Sequence, residues 1–208
     1  MKKKILALCL VVALLATAIA GATLAYFTDT DEVNNTFTVG NIEIKLDEAP
    51  VGDDGLADKG DRVQENEYHL YPGMTYDKDP MVTVIKGSEE CYVRVFMSIN
   101  NQDKLDEQLA GYKIEDILTG TSEKWEYKGN VREGDVRTYE FWYTEKIDAT
   151  EADEDIALDP LFKNIVVPAG LTNEQMTALN DLKINVVAHA MQTEGFSTAD
   201  EAWDKWPG

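Results

Sequence analysis

Nine consecutive residues, Cys91–Ile99, alternate without a break. Cys91, Val93, Val95, Met97 and Ile99 form one row, while Tyr92, Arg94, Phe96 and Ser98 form the other. Side chains switch faces at every residue of a strand, so this period of two makes a β-strand with one wholly apolar side. A helix would scatter the same residues around its circumference. The pattern recurs in weaker form along the chain. Asn41–Asp47 sets Ile42, Ile44 and Leu46 against Glu43, Lys45 and Asp47, and Leu182–Met191 sets Ile184, Val186, Ala188 and Ala190 on one face. Met81–Lys86, Lys124–Lys128, Val136–Glu145 and Phe162–Val167 read as further strands, the second and third of them rich in aromatics, with Gly129 and Gly134 flanking the turn between those two.

Between the strands lie turn and loop signals. Tyr71-Pro72-Gly73-Met74 is a turn in which Pro presets φ and Gly supplies a positive φ. Glu48–Glu67 and Asp148–Asp159 read as acidic loops. Gln102–Leu109 and Ile114–Leu118 are short helices, each followed by a glycine (Gly111, Gly120). Thr172 with Gln175, and Thr198 with Glu201, have the spacing of capping boxes that open two more helices. Eight or nine strands, a few short connecting helices and no βαβ alternation predict an all-β fold, an antiparallel, jelly-roll-like β-sandwich.

The chain's 208 residues suit one sizeable domain, and 44% hydrophobic residues are too many for a disordered acidic tail. With 19 basic and 39 acidic side chains the formal charge is −20, which repels phosphate backbones and argues against a nucleic-acid partner. Lys2–Lys4 precede an uncharged run, Ile5–Ala25, that ends in small residues, the layout of a secretory signal peptide with only transient membrane contact during export. Cleavage is expected after Ala25, leaving Tyr26 first, with Ala20 as the alternative site and a retained anchor as the alternative fate. Loss of the three lysines takes the mature charge to −23 and leaves Cys91 as the one cysteine, so no internal disulfide is expected. The expected organisation is a signal peptide over 1–25 and a single domain over 26–208.

The pattern Gly21-Ala22-Thr23-Leu24-Ala25-Tyr26-Phe27-Thr28-Asp29, followed by Asn35-Thr36-Phe37-Thr38-Val39-Gly40, resembles secreted proteins processed by a SipW-type signal peptidase. Tyr71-Pro72-Gly73-Met74, Tyr92-Val93-Arg94-Val95 and the stretch Ala188–Phe196 running into Ala202-Trp203 add to the likeness, which is to the TasA/camelysin family of Gram-positive bacteria. The resemblance implies a jelly-roll domain, a secreted or cell-surface location, and assembly into biofilm-matrix fibres in which one subunit's N-terminal segment completes its neighbour's sheet. Residues 26–40 would be that exchangeable strand, because Phe37 and Val39 alternate with β-favouring Thr36 and Thr38.

No residue pattern assigns catalysis. Camelysin-like members are described as metalloproteases, but H-E-x-x-H is absent and the only histidines, His69 and His189, stand in unlike contexts. Zinc would require those two to converge with a carboxylate, and beyond calcium no cofactor is indicated. Calcium has one candidate set, Asp53, Asp54, Asp58 and Asp61, interspersed with glycine but not at EF-hand spacing. A solvated acidic face is the plainer account of the same residues. The alternative to a fibre subunit is a monomeric module binding carbohydrate or protein through exposed Trp125, Tyr127, Tyr139, Trp142 and Tyr143.

Overall fold

The computed structural model describes residues 41–206. The cleavage residues Ala25 and Tyr26 and the assembly residues Phe37 and Val39 lie outside this range. Strand β4, Cys91–Ile99, has the bounds its alternation predicts, and its row of Cys91, Val93, Val95, Met97 and Ile99 is buried. Two strands flank it in the sheet. β10, Ile184–Gln192, pairs along its full length from Ile184↔Ile99 to Gln192↔Cys91, and β7, Val136–Tyr143, pairs from Arg94↔Trp142 to Ile99↔Arg137. β6, Trp125–Glu133, completes a sheet of order β10-β4-β7-β6.

Two smaller sheets complete the β structure among the described residues. One has the order β1-β3-β8, from Ile44–Asp47, Met81–Val84 and Ile156–Ala157. The other has the order β2-β9-β5, from Thr75–Asp77, Asn164–Val166 and Leu118–Thr119. Every ladder is antiparallel, as an all-β sandwich requires. A continuous core joins the three sheets through Tyr76, Val82, Val84, Phe162 and the inward row of β4.

The β6–β7 hairpin differs from the sequence expectation. β6 does not end at Lys128 but continues to Glu133, and the turn is made at Gly134-Asp135, with Gly134 at φ 57°. Gly129 lies inside the strand, where the register shifts between Tyr127 and Gly129. Its φ of 144° absorbs the extra residue of a bulge, a conformation that strains any residue with a Cβ.

Among the described residues four short helices bridge the sheets: α1 Gln102–Gln108, α2 Ile114–Ile117, α3 Asn173–Ala178 and α4 Ala199–Asp204. Asn101, before α1, makes no side-chain cap. Asp135 from the hairpin turn supplies it instead: its carbonyl accepts from Gln102 N–H (3.1 Å) and its carboxylate from Asp103 N–H (2.8 Å). The Thr172/Gln175 box closes α3 reciprocally, with the Gln175 N–H donating to the Thr172 hydroxyl and the Thr172 N–H to the Gln175 side chain. At α4 only half of the expected box forms. Thr198 Oγ1 accepts from Glu201 N–H, while the Glu201 carboxylate takes the Ser197 N–H.

Candidate functional site

A concavity of about 710 Å³ lies between α1, α2 and the β6–β7 side of the main sheet. Its inner wall is Met97 and Ile99 of β4 with Trp125, Tyr139 and Phe141 of the hairpin, and its outer wall is Leu105, Leu109 and Ile114 of the helices. One end is polar. Gln102 is only 5% exposed, and its Nε2 donates to Asp106 Oδ1 at 3.0 Å. Arg137 Nη2 lies 3.7 Å from Asp106 Oδ2. Among the described residues, neither Gln102 Oε1 nor Arg137 Nε has a hydrogen-bond partner, although both atoms are buried. Tyr127 and Tyr112 stand exposed at the mouth.

The five aromatics read from the sequence as an exposed platform are therefore distributed differently. Trp125, Tyr139 and Tyr143 are buried, and Trp142 is half-buried under the Lys128 ammonium (4.3 Å to its ring). Tyr127 alone of the five is open, at 51% exposure. Trp125 Nε1 donates to the Asp159 carbonyl at 2.8 Å, and its ring meets Tyr143 edge-on at 4.9 Å. These are core contacts.

The opposite face of the main sheet carries a second cluster. Arg94 projects from β4 between Phe96 and Trp203 of α4, its guanidinium carbon 4.3 Å from the Trp203 ring centre and 4.8 Å from that of Phe96. His189 of β10 stacks on Trp206 at 4.7 Å and 14°. Burial lowers the His189 pKa, the Arg94 charge lowers it further, and Glu140 opposes them. The sequence places His189 opposite the Ile184/Val186/Ala188 face as an ordinary sheet histidine, and the stacking agrees.

Of the acidic loop, Asp53, Asp54, Asp58 and Asp61 are all exposed. Asp54 is occupied in a local turn, accepting from Leu56 N–H at 3.0 Å. Among the described residues no three His, Cys, Asp or Glu side chains are grouped to hold a metal ion. The loop is organised by neighbours that the spacing of these aspartates does not reveal. Arg62 binds Asp47 and Asp79, with its Nη1 2.8 Å from Asp79 Oδ2, and Lys78 pairs with Glu48, which also accepts from Asn66 at 2.9 Å. Burial pushes the Asp47 carboxyl up, but its bonds to Lys45 and Arg62 outweigh this and hold it below the ordinary value.

Cys91 is fully buried, and burial, with Glu90 nearby, pushes its thiol up to about 11. It is a core residue and not a nucleophile. His69 is exposed, and nothing in its surroundings makes it a ligand with His189. The described residues thus do not assemble the ligand set that a metallo-endopeptidase needs.

At the sheet edges, β10 has β4 on one side and, among the described residues, no ladder on the other. β1, into which the N-terminal segment leads, comes within 8 Å of β10 without pairing to it. No helix among the described residues is long and apolar enough to cross a membrane. The chain matches no curated protein and no solved structure. Residues 1–77 match the family model described as Camelysin metallo-endopeptidase, in agreement with the TasA/camelysin family.

Proposed function

We propose that the protein is an exported matrix or cell-surface subunit that polymerises by strand addition, each copy's segment 26–40 pairing with the sheet of the next. The observation that carries this reading is the β10 edge. It is nine residues long, has one ladder partner among the described residues, and presents half-buried Ile184, Val186, Ala188 and Ala190 toward the core. An unpaired edge of this length is a template for another strand. An added strand would gain main-chain hydrogen bonds from the edge and specificity from alternate side chains such as Phe37 and Val39. The segment that carries those residues leads into β1, beside that edge. The match of residues 1–77 to a family whose members are extracellular or surface proteins supports export, with a SipW-type signal peptidase acting at Ala25-Tyr26.

The test is filament formation by the chain beginning at Tyr26, followed by negative-stain microscopy. Deleting 26–39, or substituting Phe37→Asp together with Val39→Asp, is expected to abolish filaments while the β-sheet circular-dichroism signal persists. A peptide spanning Tyr26–Gly40 is expected to raise the melting temperature of the truncated chain. Normal filaments from the deletion variant would remove the strand-addition reading.

A further inference from the structure

We infer that α4 is a strap over the outer face of the main sheet, and that protonation of His189 beneath it releases the strap in an acid medium. The strap closes a small core of its own. Tyr92 of β4 is buried with Ala202 and Trp203 of α4, and Trp142, Met191, Phe196 and Trp206 stand half-buried around them. This cluster is separate from the core that joins the three sheets, so α4 can lift without opening the larger one. Among the described residues, every hydrogen bond made by 197–206 stays within that segment. None of Asp200, Glu201, Asp204 or Lys205 joins an ion pair there. What holds the strap down is two indole rings. The Arg94 guanidinium carbon lies 4.3 Å from the ring centre of Trp203 and 5.4 Å from that of Trp206, and Trp206 stacks on His189. The chain leading to the helix is anchored at Thr193, whose N–H donates to the Glu90 carbonyl at 2.9 Å and whose hydroxyl bonds the Glu90 carboxylate. Between that anchor and α4 stands the exposed Gly195, at φ 89°, where the backbone can swing.

The charges around His189 set the sign of the response. In the ladder it lies directly opposite Arg94. Glu140 of β7 opposes that cation, and its Oε1 is shared between Arg94 Nη1 at 3.4 Å and Trp142 Nε1 at 2.7 Å. β10 brings no charged residue of its own. The next charges outward are already paired, Lys128 with Glu126 beside Trp142 and Lys146 with Glu90 beside Tyr92. Neutral His189 thus leaves one cation and one anion under the strap, and the imidazolium makes two cations to one anion. Both imidazolium nitrogens carry protons, and Nδ1 is buried with no hydrogen-bond partner among the described residues. A charged N–H shut in without an acceptor is costly, and lifting α4 admits water to it. The attraction of an imidazolium for the Trp206 face pulls the other way, but Arg94 already competes for that ring. Burial and Arg94 accordingly hold the His189 pKa below its ordinary value while the strap is down, so protons favour the raised state. A raised strap bares Tyr92, Phe96 and Trp142, an aromatic face that the molecule conceals at neutral pH.

The test is acrylamide quenching of tryptophan fluorescence in the purified full chain at submicromolar concentration, read between pH 7.5 and 5 beside the far-UV circular dichroism. Two of the four tryptophans belong to the strap, so quenching is expected to rise about twofold as the pH falls through about 6, while the β signal persists. His189→Gln, which stays neutral, is expected to keep its pH 7.5 value throughout. Glu140→Gln keeps an acceptor for Trp142 Nε1 but removes the opposing charge, and is expected to move the rise to higher pH. The inference is overturned if quenching in the parent is flat, or if His189→Gln rises as the parent does. It is equally overturned if the far-UV signal is lost over the same range, since the whole domain would then be unfolding. Should His189→Gln fail to fold, Glu140→Gln decides, and a rise at the parent's pH or below it overturns the inference.

Discussion

Replacing Lys78 with methionine tests whether an ion pair organises the acidic loop. The Lys78 and Glu48 side chains are 9% and 7% exposed, and they pair where the start of the loop 48–67 meets the residue that follows β2. Removing one member of a buried pair costs about 3–5 kcal/mol, because the other charge is left without compensation. Asn66 still donates to Glu48 in the variant, which puts the expected loss at the lower end, about 3 kcal/mol. Against the 5–15 kcal/mol typical of a folded domain, that is a large share (about a fifth or more). With a urea m-value of about 2 kcal/mol/M, the unfolding midpoint falls by about 1.5 M. Adding Glu48→Gln removes the stranded charge but keeps an acceptor for Asn66, so the double variant is expected to recover most of the loss. Urea melts of the three proteins at pH 7 decide the matter. A double variant as unstable as the single one would refute the reasoning, since the cost would then be lost packing and not an unpaired carboxylate.

Two further outcomes follow from the site geometry. His189 has its pKa lowered by burial and by Arg94, so the unfolded chain takes up the proton more readily than the folded one. Its contribution to stability is whole above about pH 6.5 and is lost as pH falls through that value toward the lower folded one. Melting temperatures between pH 7.5 and 5 should therefore fall more steeply in the parent than in His189→Phe, and parallel curves would count against this. Cys91, buried and with its thiol at about 11, should not react with a disulfide reagent at pH 8 until urea unfolds the chain, whereas rapid labelling of the native protein would place it near the surface.

The long strands were legible because their signal is local. Cys91–Ile99 carries its alternation in nine adjacent residues, and the observed strand has the same ends. The Thr172/Gln175 box was legible for the same reason, since both halves lie within four residues. β2, β5 and β8 were not, because two or three residues such as Ile156-Ala157 become a strand only when Thr83 and Val84 are already beside them. Gly129 reads as turn punctuation in the sequence, and only the facing register of β7 makes it a bulge. The cavity draws its wall from β4, α1, α2 and the hairpin, and no spacing along the chain joins Gln102 to Arg137. Nor does the sequence distinguish Asp47 and Glu48, which are buried and paired, from the exposed aspartates a few residues later.

The cap that Asp135 provides to α1 has a kinetic consequence. A helix of seven residues is too short to persist alone, and its first N–H groups are satisfied by a residue some thirty positions further along the chain. The hairpin must therefore close before the helix is held, which makes α1 a late arrival in folding and an early departure in fluctuation. Because α1 forms one side of the cavity, its fraying would widen the opening by the breaking of two hydrogen bonds to Asp135, while the four-stranded sheet behind it keeps its place.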